Sequence, residues 1–84
     1  MDFDQTQKIT PIEALTNTEQ VLIEAHQALL EKNYNSINQL VGYLQSGEPT
    51  YITSHNNARA KLSRIERDEI LEFLLRRFLE GRHT

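Results

Sequence analysis

The chain has 84 residues, a formal net charge of −3 and no cysteine. A chain this short forms one domain that buries only about 60% of its unfolded surface, so extra stability often comes from oligomerisation. Without cysteine, disulfides, thiolate zinc sites and cysteine nucleophiles are excluded. The acidic balance argues against general affinity for nucleic-acid phosphates.

The first 17 residues show no sustained hydrophobic period, and we expect them to form a flexible N-terminal arm ahead of a single helical domain over residues 18–84. The first ten residues lack the basic start and apolar run of a secretory signal. No stretch approaches the roughly 18 consecutive apolar residues of a membrane span. We therefore expect a cytoplasmic protein with no direct membrane insertion.

The first helix is predicted over residues 18–32, where apolar side chains recur at helical spacing. Asn17 is the candidate N-cap, and Gln20 stands three residues later in the capping-box position. Asparagines dominate the following turn, residues 33–35, and asparagine tolerates left-handed backbone geometry. A turn between two helices is therefore predicted there.

The second helix is predicted over residues 36–46, with Asn35 or Ser36 as its cap. Gly47 ends it, and Pro49 cannot continue it. Gly42 lies inside this helix at a cost of about 1 kcal/mol relative to alanine, so we expect it to mark a close contact between helices. Four apolar residues share one face of the helix: Ile37, Leu40, Val41 and Leu44.

Residues 50–52 can form one short helical turn. A third helix is predicted over residues 54–65, and a fourth begins within 66–68 and runs to Glu80, where Gly81 stops it. The alternative is one bent helix. The charged run at 66–69 interrupts the apolar period, so two helices are favoured.

The fourth helix is apolar over too much of its circumference for a small single-chain core, with large apolar side chains at Ile70, Leu71, Phe73, Leu74, Leu75, Phe78 and Leu79. A helix that is apolar nearly all round is buried nearly all round, and a second copy of the chain is the expected cover. The predicted fold is thus all-α, a compact bundle of four main helices that forms a homodimer. The residues predicted to build its core and dimer contact are Ile70, Leu71, Leu74, Leu75 and Phe78.

No pattern in the chain is typical of a catalytic site. There is no Ser-His-Asp grouping, no paired-carboxylate site and no glycine-rich nucleotide loop, so we predict a protein that is not an enzyme and needs no cofactor. His26, His55 and His83 are not spaced at i+3 or i+4, and no metal site is predicted. We expect His26 to be partly buried and hydrogen-bonded. For residues 55–57, capping and loop hydrogen bonding is favoured over a binding patch.

A basic stripe on the third helix supports an alternative function, a small helical nucleic-acid-binding regulator. Its members are Arg59, Lys61, Arg64 and Arg67. Acidic residues follow directly, so a solvated, salt-bridged face is the favoured interpretation, and no nucleic-acid partner is predicted. A structural adaptor without phosphorylation is a third alternative.

Three motifs occur in order along the chain: NYNSINQLVGYLQSGEPTYI at 33–52, HNNAR at 55–59 and ERDE at 66–69. Together they resemble the IreB family, small regulatory phosphoproteins of Gram-positive bacteria. The resemblance runs from roughly Phe3 to Leu79, and it is specific because several separate motifs agree in order and spacing.

The resemblance implies a function that the residues alone do not. IreB-family members are phosphorylated on an N-terminal threonine by a membrane-anchored Ser/Thr kinase, and the spacing F-D-x-T places Thr6 on that position. Some members carry a second, slightly earlier threonine, where this chain has Phe3 and Asp4. Thr10, before Pro11, is a second candidate without a matching family position. The type member restrains intrinsic cephalosporin resistance, so the resemblance implies a negative regulator in cell-envelope stress signalling. Its implied partners are itself, the kinase, the cognate phosphatase and a downstream protein that the sequence does not name.

Overall fold

The computed structural model describes residues 16–81. It contains four α-helices: α1 Asn17–Glu31, α2 Ser36–Ser46, α3 Ala58–Ser63 and α4 Arg67–Glu80. Two 3₁₀ turns connect α2 to α3: Pro49–Tyr51 and His55–Asn57. The described residues contain no strand, so the all-α class is confirmed, as is the division into separate third and fourth helices. The candidate phosphorylation sites Thr6 and Thr10 lie outside the described residues, as do residues 1–15 of the predicted arm.

α1 begins one residue earlier than predicted because its N-cap is Thr16. The Thr16 backbone is extended, and its hydroxyl accepts a hydrogen bond from the main-chain N–H of Glu19 at 3.0 Å. The predicted cap, Asn17, is therefore wrong, since it is already the first helical residue. At the other end, Asn33 takes the left-handed conformation with φ 67°, as expected for the turn into α2.

The bounds of α2 match the prediction at both ends. Asn35 caps it by accepting from the main-chain N–H of Asn38 at 3.1 Å, and Gly47 ends it in the left-handed conformation with φ 76°. The predicted helix–helix contact at Gly42 is wrong. A Cβ at this position would collide with the ring of Tyr51, so the glycine instead makes room for the first 3₁₀ turn.

α3 is shorter than predicted, beginning at Ala58 and not near Ser54. The reason is local backbone geometry, since Asn56 and Asn57 have φ values of 55° and 62°. An α-helix of L-residues does not include such left-handed positions, whereas asparagine tolerates them singly in turns. The extra residues form the second 3₁₀ turn, in which His55 Nε2 lies 2.7 Å from the carboxylate of Glu31 at the end of α1.

The core receives apolar side chains from all four helices, from the α2–α3 connection and from the short α3–α4 connection: Val21, Ala25, Ala28, Leu29, Tyr43, Ile52, Ala58, Leu62, Ile65 and Ile70. Leu40 and Leu44 of α2 pack against it, whereas Ile37 and Val41 on the same helix stay exposed. Among the described residues, few large side chains are fully buried, and the largest of them are Leu29, Ile52, Leu62 and Ile70. The core within one chain is therefore thin. Among the described residues, no helix is long and apolar enough to cross a membrane.

Candidate interaction surface on the last helix

One face of α4 packs against the N-terminal end of α1. Ile70 supplies the apolar contact and is fully buried. The hydroxyl of Thr18, itself buried, donates to Glu69 Oε2 at 3.0 Å, and the guanidinium of Arg77 donates to Glu19 Oε1 at 2.9 Å. We call these two polar contacts the α1–α4 clamp. It fixes which side of α4 faces the rest of the chain.

The ion pair of the clamp is unequal in its exposure to solvent. The side chain of Glu19 is only 11% exposed, whereas that of Arg77 is 60% exposed and lies over the ring of Phe73, with 5.1 Å from guanidinium carbon to ring centroid. Glu19 also lies in the first turn of α1, where a negative charge suits the helix dipole. Removing Arg77 would leave a poorly solvated carboxylate, so this contact is worth more than an ordinary surface pair.

The opposite face of α4 is apolar and largely exposed to solvent. Its exposed fractions are 42% for Leu71, 37% for Leu74, 59% for Leu75, 61% for Phe78 and 60% for Leu79. Residues three and four positions apart share one side of a helix, so these side chains form one continuous stripe, called here the outer face. Of the residues predicted to build core and dimer contact, the structure places Ile70 in the core and the other four together on the outer face.

A shallow groove runs along this outer face, lined by Asp68, Leu71, Glu72, Leu75, Arg76, Leu79 and Glu80. Leucines form its floor and charged side chains its rim. Arg76 bridges Glu72 and Glu80, with both N···O distances at 2.9 Å. The hydrogen bond that Arg76 donates to Glu72, together with the charges of Glu80 and Glu72, raises the pKa of Arg76, which keeps this rim cation charged. An apolar centre with a polar rim is the anatomy of a protein–protein interface.

The remaining candidates from the sequence do not gather into a site. His26 Nδ1 lies 2.7 Å from the hydroxyl of buried Ser36, which is the partly buried, hydrogen-bonded role expected for it. His55 has a different partner from His26, since its Nε2 lies 2.7 Å from the carboxylate of Glu31. Within residues 16–81, no group of three or more His, Cys, Asp or Glu side chains could hold a metal ion. His83 lies outside the described residues.

The basic stripe that motivated the nucleic-acid alternative is largely engaged within the chain. Arg59 and Arg67 each donate to a main-chain carbonyl, at 2.8 and 3.1 Å respectively. Lys61 forms an ion pair with Glu24 at 3.1 Å. These contacts agree with a salt-bridged surface and leave fewer cations for phosphate groups.

Sequence reasoning missed the α1–α4 clamp altogether. Its pairs join residues 51 and 58 positions apart, and helical periodicity carries no information about such contacts. One local signal was available: Thr16 and Glu19 have the Thr-x-x-Glu spacing of a capping box. In the structure, however, the carboxylate of Glu19 is bound by Arg77.

Two comparisons with known proteins agree with each other. A family model described as IreB regulatory phosphoprotein matches residues 4–80, a range that includes Thr6, Thr10 and all of α4. A curated relative, the UPF0297 protein of Ruminiclostridium cellulolyticum, is 54% identical over 65 residues, which cover 77% of this chain and 74% of the relative. The chain therefore belongs to the IreB family of regulatory phosphoproteins.

Proposed function

We propose that this chain is a cytoplasmic, non-enzymatic regulator. A transmembrane Ser/Thr kinase phosphorylates it, and a cognate phosphatase removes that phosphate. The observation that carries the proposal is the family match, described as a regulatory phosphoprotein and extending over nearly the whole chain. The proposed role is negative regulation in cell-envelope stress signalling and intrinsic cephalosporin resistance, through a downstream protein.

The proposed phosphate acceptor is Thr6, with Thr10 as the second candidate. Kinases bind their substrates in extended form, so an acceptor hydroxyl should not be committed to a packed helix. The hydroxyls of Thr16 and Thr18 are committed, the first to the cap of α1 and the second to Glu69. This favours an acceptor N-terminal to Thr16.

The proposed working form is a homodimer that covers the outer face of α4. Two observations support it. The thin core buries only a few large side chains fully, and a comparable number of leucines stand exposed on a single helix. Small domains commonly complete their apolar burial by association, and contiguous exposed apolar patches mark such contacts.

Regulation would act through charge. A phosphate on Thr6 adds about −1.5 to −2 charge and three strong acceptor oxygens. Such a group can create contacts with arginine side chains or repel an acidic surface. Either effect changes how the dimer binds its downstream protein without any chemistry by the chain itself.

The experiment is phosphosite mapping of the full chain after incubation with ATP and the kinase domain of the host's envelope-sensing Ser/Thr kinase. Thr6→Ala should lose most of the incorporated phosphate, whereas Thr50→Ala, which removes an exposed threonine of the first 3₁₀ turn, should keep it. Phosphate that survives in Thr6→Ala and maps to Thr18, Thr50 or Thr53 would refute the assignment.

The proposed cellular role has a separate test. A host strain that lacks the gene should tolerate more cephalosporin than its parent, and the wild-type gene should restore sensitivity. Unchanged resistance in the deletion strain would remove the proposed role in resistance while leaving the phosphorylation assignment untouched.

A further inference from the structure

The charge and side-chain pattern of α4 points to a specific geometry of self-association. We infer that two copies pair through antiparallel α4 helices, with Leu75 close to the twofold axis and Leu71 of one copy against Leu79 of the other. This inference rests on the proposed homodimer and supplies its arrangement.

The first argument is the symmetry of the groove floor. Leu71, Leu75 and Leu79 all line the groove at intervals of four residues, so the row reads the same in both directions about Leu75. In a twofold dimer the same patch faces itself. An antiparallel pair then sets Leu71 against Leu79 twice and Leu75 against its own copy, which fills the groove along its whole length.

The second argument is the distribution of charge along the helix. Along the groove, the N-terminal half of α4 carries two acidic residues, Asp68 and Glu72, and the C-terminal half carries the cation Arg76 beside Glu80. Glu69 and Arg77 belong to the clamp on the other side of the helix and take no part in this pattern. Antiparallel packing lays the acidic half of each helix over the half of the other that holds Arg76. Parallel packing would lay acid on acid and would also align the two helix dipoles.

The rim of the groove gives the same orientation at the level of single residues. Glu72 and Arg76 both line the groove, one on each side of Leu75 in sequence. An antiparallel pair about Leu75 brings Glu72 of one copy beside Arg76 of the other. A guanidinium has five donors, so Arg76 can meet this second carboxylate in addition to its own neighbours. Exposed pairs of this kind add little affinity, but they select orientation.

Nothing in the described fold has to move for this pairing. The α1–α4 clamp and Ile70 lie on the other side of the helix, so α1 does not cover the groove. The 14 residues of α4 span about 21 Å at 1.5 Å per residue, which leaves room for the full row of leucines in one straight seam.

Disulfide trapping tests the orientation, because the chain has no cysteine of its own. Leu71→Cys and Leu79→Cys chains, one carrying an affinity tag, are mixed and oxidised. In the antiparallel pair, two copies of residue 71 lie about 12 Å apart along the helix axis, too far for a disulfide, which needs Cα atoms within about 7 Å. We expect tagged–untagged disulfide dimers from the mixture and little from either variant alone. Gln45→Cys, exposed on α2, measures chance collisions.

Glu72→Cys and Arg76→Cys repeat the test on the rim, with a short bismaleimide as crosslinker, and leave every leucine in place. The two copies of residue 76 lie about 3 Å apart along the helix axis and the two copies of residue 72 about 9 Å apart, so Arg76→Cys should crosslink with itself and with Glu72→Cys, whereas Glu72→Cys should crosslink with itself much less. Equally efficient crosslinking of all four variants with themselves, with no gain on mixing, means parallel helices and overturns the inference. The absence of any crosslink above the Gln45→Cys level in a preparation that sediments as a dimer also overturns it, while the proposed dimer stands. A wild-type chain that sediments as a folded monomer removes both.

Discussion

Replacing Leu75 with glutamate tests whether the outer face of α4 is a contact between copies. Ile37→Glu on α2 is a matched control. The two side chains are 59% and 65% exposed in the single chain, and both lie in helices, so each substitution perturbs one isolated chain to a similar extent. Only Leu75 lies in the proposed seam.

The expected effect follows from the surface that Leu75 still has to bury. Complete burial of a leucine side chain contributes about 1.5–3 kcal/mol, so the 59% that remains exposed contributes roughly 0.9–1.8 kcal/mol per copy. Two copies lose about 2–3.5 kcal/mol, which raises the dissociation constant of the dimer roughly 30- to 300-fold. Two carboxylates facing each other across the twofold axis would add repulsion, so this is a lower bound.

Sedimentation equilibrium over a wide concentration range measures this change directly. The wild-type chain should approach twice its mass of 9.8 kDa, Leu75→Glu should remain near 9.8 kDa, and Ile37→Glu should follow the wild type. Circular dichroism checks that both variants keep their helix content. The reasoning fails if Leu75→Glu dimerises as tightly as the wild type, or if Ile37→Glu dissociates to the same extent.

Three further predictions test the fold. Thr16→Ala should lower the free energy of unfolding by about 1 kcal/mol in urea titrations, because it removes the cap of α1. Asn17→Ala should change this free energy little. A larger loss in Asn17→Ala than in Thr16→Ala would show that Asn17 is the cap after all. Gly42→Ala should destabilise the protein in the same assay although alanine is the better helix former, because the new methyl collides with the ring of Tyr51; a gain in stability would contradict this contact. Arg77→Ala should lower the free energy of unfolding by about 1 kcal/mol, because it leaves the largely buried Glu19 of α1 without its cation. An unchanged denaturation midpoint would show that solvent already screens the pair.

The ends of α2 could be predicted from the sequence because purely local chemistry sets them. Asn35 caps the helix with its own side chain, and Gly47 takes a left-handed backbone that few other residues accept. The start of α1 was harder because two good capping residues, Thr16 and Asn17, stand side by side. The choice of cap sets the direction in which the helix presents the side chain of Thr18. In the structure that side chain donates a hydrogen bond to Glu69 as part of the α1–α4 clamp. That contact is not visible in the local sequence.

The exposed faces show the same division between local and tertiary information. The spacing of Ile37, Leu40, Val41 and Leu44 predicted one apolar face, yet only the two leucines pack against the core. Periodicity identifies the side chains that share a face, but it does not identify the neighbour that covers them. For α4 the sequence correctly predicted more apolar surface than one chain can bury. It could not divide that surface into an inner and an outer face, because the clamp to α1 decides the division.

The thin core and the exposed outer face of α4 have a common thermodynamic consequence. When association buries surface that the single chain leaves exposed, only folded chains associate. Association therefore stabilises the folded state by mass action. The temperature of unfolding then rises with protein concentration. Because Leu75 lies outside the core of the single chain, Leu75→Glu should abolish this concentration dependence without lowering the unfolding temperature of the dilute wild-type chain. Differential scanning calorimetry over a hundredfold range of concentration separates the two effects. A Leu75→Glu chain that unfolds at a lower temperature even at high dilution would mean that the outer face already contributes to the stability of the isolated chain.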